Sequence, residues 1–259
     1  MVNLKNYNDV LKLFVIFLTL FLVVSCGKQN YSLSKIEGKQ IAITDKEKQD
    51  AQIENFIKPY REHINNDLDS ILAYCPETLD KSSGKWQTTI GNLLADVTFQ
   101  RGKNLFMARE KKNIDLCILN HGGIRSILPK GNVTTRTAYE IMPFENSLVV
   151  IALKGEQIFE MVDYFIATQK PHPLSGITFT ISKDNTAKNI LIQGKPVKKE
   201  AIYYVATNDY LSNGGDNMNF FKKGTQKYDL DYKLRNILID YFKEVDTIPM
   251  INDVRVSVE

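Results

Sequence analysis

An α+β fold is what this chain of 259 residues predicts: a single domain over residues 46–259, built on a mixed β-sheet flanked by helices. Three observations predict it. Apolar residues recur at three- and four-residue steps in some stretches, and alternate or run continuously in others. The two kinds of stretch are intermingled, without the strict strand–helix alternation of a doubly wound sheet. No internal repeat or low-complexity tract breaks the interior. Hydrophobic residues make up 43% and charged residues 24%, ordinary for a globular chain. A net charge of +3 is too small to argue for a nucleic-acid partner.

The N-terminus reads differently. Lys5 and Lys12 precede the apolar run LFVIFLTLFLVV, Leu13 to Val24. That run is short for a transmembrane helix and right for the core of a signal peptide. It ends in VVSCGKQ, where an apolar pair, a small residue and Cys26 resemble a bacterial lipobox. Residues 1–25 are therefore expected to be a lipoprotein signal peptide, with cleavage before Cys26 and lipid on its thiol; the alternative is an ordinary signal peptide with a chance cysteine. Each buried lipid methylene adds about 0.8 kcal/mol, so more than one chain makes a firm anchor. Residues 26–45, polar after the cysteine, would tether the domain. The expected location is the exported side of a bacterial cell envelope. Cys117, inside the apolar IDLCILN, is expected to be a buried, unpaired thiol, although a pair with Cys75 is open to an exported protein.

The elements follow in order. Ile53, Phe56, Ile57, Tyr60, Ile64, Leu68 and Ile71 fall at helical spacing, with Pro59 expected to end or kink the helix. SSGKW is a loop. A second helix starts near Thr89 and turns Leu93, Leu94, Val97 and Phe106 inward. IDLCILN, with no polar face, predicts an interior strand. Gly131-Asn132 signals a turn, and Thr134 or Thr135 can cap a short helix. NSLVVIAL is a strand, and Gly155-Glu156 opens an amphipathic helix carrying Ile158, Met161, Val162 and Phe165. GITFTI alternates as a strand does, QGKPV turns, and AIYYVATND is the last evident strand. YLSNGGDN is a glycine-rich loop and YKLRNILIDYF a terminal helix.

Three loops can carry chemistry. In the first, LNHGGIR, an Asn-His pair could be a fragment of a metal-dependent phosphatase site or a ligand-binding turn. Gly122 and Gly123 give backbone freedom and room for a ligand. Asn120 can donate and accept, and Arg125 presents a planar fork of donors. Read blandly, it is a strand-to-helix turn with a surface arginine. The second loop is MPFEN, Met142 to Asn146, where Phe144 either projects toward a ligand or, as is commoner, plugs the core. The third is NDYLSNGGDN, with Tyr210 and Asp216; Asp216 could accept from a vicinal diol or form a solvated turn. Together, two aromatics, an Arg, an Asn and an Asp at strand ends are the equipment for a nucleoside. Stacking supplies about 1–3 kcal/mol per base–aromatic contact and micromolar affinity requires about 8 kcal/mol, so the polar groups must contribute.

PYREHINNDLDSIL, IGNLLADV, ILNHGGIRSILPKGNVTTRTAYEIMPFENSLVVIALKGEQI, LSGITFTI and YYVATNDYLSNGGDNMNFF, taken in this order, resemble the C-terminal domain of the 5′-nucleotidase family from about Pro59 to Phe221. The resemblance implies an α+β domain that binds the nucleoside part of the substrate. It implies that Phe144 and Tyr210 stack on the base, that Asn120 and Arg125, with Gly122 and Gly123 between them, meet base and ribose, and that Asp216 holds the ribose hydroxyls. Position 210 is often Phe in the family; Tyr keeps the ring and adds a hydroxyl.

Two departures bear on function. A substrate-binding Arg common before the GNL motif is absent, and Lys85 is the cation in SSGKWQTTI. His121 stands where the family usually has a small residue; it either contacts the ligand or faces solvent, the second being the preferred reading. Family members cut phosphate in an N-terminal domain with two metal ions on several His, Asp and Asn ligands. Here His63, His121 and His172 are read as lying far apart, no Asp-x-His or Gly-Asn-His motif occurs, and the signal peptide and tether occupy the start. The expectation is a lipid-anchored module for a nucleoside or nucleoside monophosphate. It would have no catalytic residue, metal or cofactor of its own and would act in nucleotide catabolism with a separate metallophosphatase protein. The alternatives are a phosphohydrolase in its own right, or a nucleoside-scavenging lipoprotein.

Overall fold

The computed structural model describes residues 4–24, 32–44 and 46–259; Cys26, the expected lipidation point, lies outside the described residues. The chain divides into two units, residues 1–51 and 52–259. In the first, α1 spans Leu4–Val24, and residues 32–44 have no regular secondary structure. Among the described residues no helix is long and apolar enough to cross a membrane.

The remaining elements are α2 (Ala51–Leu68), β1 (Ile71–Cys75), α3 (Thr89–Glu110), β2 (Leu116–Ile118), β3 (Gly131–Thr134), α4 (Thr135–Ile141), β4 (Ser147–Lys154), α5 (Gly155–Thr168), β5 (Leu174–Ser175), β6 (Ile177–Ile181), β7 (Ala187–Ile192), β8 (Lys195–Pro196), β9 (Ile202–Asn208), α6 (Asp209–Ser212), β10 (Gln226–Lys233), α7 (Leu234–Glu244) and β11 (Val256–Val258). Local chemistry sets several boundaries. The Thr88 hydroxyl accepts from the Gly91 N–H and starts α3, which stops where Lys111 turns left-handed. Thr134 and Thr137 form a reciprocal capping pair at the start of α4.

The sheets number three among the described residues. β1 and β3 form a ribbon, β11-β6-β7-β8 a four-stranded sheet, and β10-β4-β9-β2-β5 the central one. The central sheet is mixed: β9 runs parallel to β2 and antiparallel to β4. Its two faces feed different cores. Leu148 and Val150 of β4 and Cys117 of β2 pack with α3 and α7, whereas Val149, Ile151 and Leu153 pack with α5, β6 and the aromatic pair Phe220 and Phe221. This two-sided burial explains why NSLVVIAL and IDLCILN read as unbroken apolar runs. Cys75 and Cys117 are both buried and unpaired.

The structure departs from the sequence reading at several points. Gly131-Asn132, read as a turn, opens β3 and pairs with Cys75 and Tyr74 of β1. α2 runs through Pro59 without ending. The ring removes only the bond to the Asn55 carbonyl, and position 55 is exposed, so water can take that carbonyl. No residue of α2 is buried, and Phe56, Tyr60 and Ile64 are exposed. Ile71 belongs to β1, its place in the helical rhythm being accidental. AIYYVATND is not the last strand, because β10 edges the central sheet and β11 joins β6 beyond α7. The turn leading into β11 is pinned by Arg255, which is buried and donates to Asp96 (2.6 Å), to Asp253 (2.9 Å) and to the Leu174 carbonyl. A buried guanidinium is tolerated only with such full pairing.

Candidate functional site

The sheet brings the three candidate loops together. β2 and β9 are parallel, with Cys117 opposite Ala206, so the segments that follow them leave at the same end. β4 is antiparallel to β9, with Leu148 opposite Asn208, so the segment that precedes β4 lies at that end too. There a cleft of about 350 Å³ is lined by Asn120, Gly122, Gly123 and Arg125 from the first loop, Phe144 and Asn146 from the second, and Tyr210 and Asp216 from the third. All seven residues singled out in the loops are in it. Asn146 was missed as a site residue, although the MPFEN loop that ends in it had been singled out.

Phe144 is 48% and Tyr210 46% exposed, so neither is a core plug. The Arg125 guanidinium lies 5.8 Å from the Phe144 ring centroid and donates weakly to the Gly122 carbonyl (3.4 Å). Asn120 is buried, and its amide donates to Asp216 Oδ2 at 2.8 Å. A side chain at Gly123 would meet Asn120 Oδ1 at 2.9 Å, so the amide could not fold over the turn in this way.

Asp216 is the hub. Tyr210 OH donates to its Oδ1 at 2.9 Å and accepts from its backbone N–H at 3.1 Å. Tyr164 OH donates to its carbonyl at 2.7 Å. Its backbone is left-handed (φ 51°, ψ 24°), a conformation that Asp tolerates better than most residues. Gly215 allows this closeness: a Cβ there would sit 2.5 Å from the Tyr210 ring.

Two of the three histidines meet, contrary to the expectation that they lie apart. β2 and β5 are antiparallel neighbours, which sets residues after β2 against residues before β5. The His121 backbone N–H donates to His172 Nδ1 at 3.2 Å. His121 does not simply face solvent, since its Nδ1 is buried without a hydrogen-bond partner. Burial, then Lys81 and Lys170, hold its pKa below the ordinary value. Lys81, which the sequence reading passed over, donates to the Ile124 carbonyl at 2.6 Å, whereas Lys85 lies over the Trp86 ring.

Among the described residues, no three His, Cys, Asp or Glu side chains are grouped to hold a metal ion. The cleft itself offers one carboxylate, with each oxygen already accepting a hydrogen bond. That donor set does not suit a pair of divalent cations.

His172 makes stability depend on pH. Its Nδ1 accepts a bond, so the imidazole is neutral with the proton on Nε2, and burial pushes its pKa down to about 4. The unfolded pKa is about 6.5, so the unfolded chain binds the proton first. The stabilisation is complete above pH ~6.5 and is lost as pH falls toward 4, by up to about 3 kcal/mol. Urea unfolding between pH 7 and pH 4.5 should show a steeper loss for the native chain than for His172→Gln. Parallel profiles would contradict this.

Comparison with known proteins agrees with the fold. A sequence model of the family described as 5′-nucleotidase, C-terminal domain, matches residues 73–223. An apyrase of Anopheles gambiae is 26% identical over 242 residues, covering 86% of this chain and 41% of that protein. A 5′-nucleotidase of Vibrio cholerae is 23% identical over 189 residues, covering 70% and 32%. The solved structure of a 5′-nucleotidase precursor from Thermus thermophilus superposes with a TM-score of 0.67 at 22% identity, covering 79% of this chain and 42% of that one. The chain thus spans less than half the length of each of these proteins. With the family match extending over more than half of its residues, on a fold shared with a solved nucleotidase, the chain belongs to the 5′-nucleotidase C-terminal-domain family.

Proposed function

We propose that the cleft binds a nucleoside or nucleoside monophosphate. Phe144 and Tyr210 take the base, Asn120, Asn146 and Arg125 meet polar edges of base and sugar, and Asp216 accepts from the vicinal ribose hydroxyls. The convergence of these side chains from three separate loops on one cleft carries the reading. Two half-exposed rings leave apolar area that a base would cover, at about 1–3 kcal/mol per stacking contact. Each Asp216 oxygen accepts one bond within the protein and keeps capacity for another. Membership of the family, and relatives named apyrase and 5′-nucleotidase, support a nucleotide as the ligand class.

We further propose that this is the specificity half of a divided enzyme in nucleotide catabolism. The phosphate chemistry would belong to a separate metallophosphatase, and this chain would select and hold the nucleoside. The donor set of the cleft, ill suited to divalent ions, supports this division. The lipobox-like residues at Cys26 support a lipid anchor on the exported side of the envelope. Residues 1–25 would then be removed, and residues 26–45 would tether the domain of residues 46–259.

Three measurements test these proposals. In calorimetric titration the full chain should bind adenosine or guanosine, and Phe144→Ala should weaken binding about tenfold or more; an affinity indifferent to Phe144 would remove the base from the cleft. Phosphate release from AMP should be negligible with the chain and divalent metal alone, and should become more efficient when an isolated 5′-nucleotidase metallophosphatase domain is present together with the chain. Chelator-sensitive release by the chain alone would make it a hydrolase itself. Labelled palmitate should enter the protein in a bacterial host and be lost in Cys26→Ser; equal labelling of both would reject Cys26 as the anchor.

A further inference from the structure

We infer that the Tyr210 hydroxyl couples base stacking to sugar recognition, making one rigid element of the ring that takes the base and the carboxylate that takes the ribose hydroxyls. This rests on the nucleoside reading of the cleft and adds a specificity determinant to it. A phenylalanine at 210 would offer the same stacking face. What the hydroxyl adds is a closed pair of hydrogen bonds with residue 216: it donates to Oδ1 at 2.9 Å and accepts from the backbone N–H at 3.1 Å. Both contacts vanish without the oxygen.

The pair matters because of what else holds Asp216. Asn120 fixes Oδ2 from the first loop, and Tyr164 fixes the carbonyl from α5. The Asn120 contact leaves the carboxylate plane free to pivot about one oxygen; the Tyr210 contact on the other oxygen removes that freedom. A bond from a neutral donor to an ionised acceptor is among the stronger kinds. The ring also packs so closely over Gly215 that a Cβ there would sit 2.5 Å from it. A base stacked on Tyr210 therefore finds the diol acceptor already oriented, and the ordering cost is met before the ligand arrives. A ligand without vicinal hydroxyls gains nothing from this arrangement. The hydroxyl thus sharpens selection for ribonucleosides beyond what an aromatic ring and an aspartate would give separately.

The test compares adenosine with 2′,3′-dideoxyadenosine by calorimetry on the full chain, in the native protein, Tyr210→Phe, Asp216→Ala and the double variant, with thermal unfolding as a check on folding. The native chain should prefer adenosine, and Tyr210→Phe should reduce that preference about fivefold. In the Asp216→Ala background the same change should leave the preference unaltered, because the carboxylate that the hydroxyl orients is gone and only its bond from the backbone N–H remains. A preference unmoved in Tyr210→Phe would overturn the coupling, as would equal weakening of both ligands, which would mean that the hydroxyl only holds the loop. Failure of the native chain to bind either nucleoside would instead overturn the nucleoside reading, and this inference with it.

Discussion

The pairing of β9 with β2 on one side and β4 on the other is the constraint on which the rest of the molecule depends. Cys117, Ala206 and Val150 lie in one row across the central sheet, all fully buried in the core beneath α3 and α7. The parallel pair sends two loops out at one end, and the antiparallel neighbour starts there. A register slip of one residue in β9 would turn Val205 and Ala206 to the opposite faces and carry Asn208, Tyr210 and Asp216 with them. The cleft is thus a consequence of backbone pairing beneath it, stabilised by side chains that do not line it.

Burial on both faces makes this pairing firm. Each fully buried aliphatic side chain contributes about 1.5–3 kcal/mol relative to exposure, and β4 alone alternates such residues between two cores. The loops, by contrast, hold their shape through polar contacts. Asn208 caps α6 by accepting from the Leu211 N–H at 2.8 Å, and Tyr164 reaches from α5 to the Asp216 carbonyl. A rigid sheet carrying hydrogen-bonded loops is a suitable platform for a ligand that needs both apolar and polar contacts.

The electrostatic setting of the cleft is simple. Among its lining residues Asp216 is the one acid and Arg125 the one cation. Beside it burial pushes the pKa of His121 and His172 down, favouring the neutral imidazole at both. Lys81 is tied to the Ile124 carbonyl. Hydrogen-bonding groups thus outnumber charged ones along the lining of the cleft.

Most helices were legible in the sequence because their signals are local. Thr134 caps the residues that follow it, and Ile158, Met161, Val162 and Phe165 fall on one face by period alone. β10 was missed because its edge position leaves alternate residues polar, although Tyr228, Leu230 and Tyr232 did carry a period of two. β1 was hidden because Ile71 happened to extend a helical spacing, and β11 because three residues make too short a pattern.

The sequence by itself determined which residues sit on which loops, and that those loops end or begin strands, since turn chemistry and periodicity depend on neighbours a few residues away. Only the tertiary structure decided that Asn120 and Tyr210 hold opposite oxygens of Asp216, that Asn146 joins them, and that His121 meets His172. Tyr210 and Asp216 share one loop, but the Asn120–Asp216 and His121–His172 contacts join different loops, across as many as 96 residues of chain, and follow from strand order and register. Both are set by the packing of the whole sheet, which no short stretch of residues encodes.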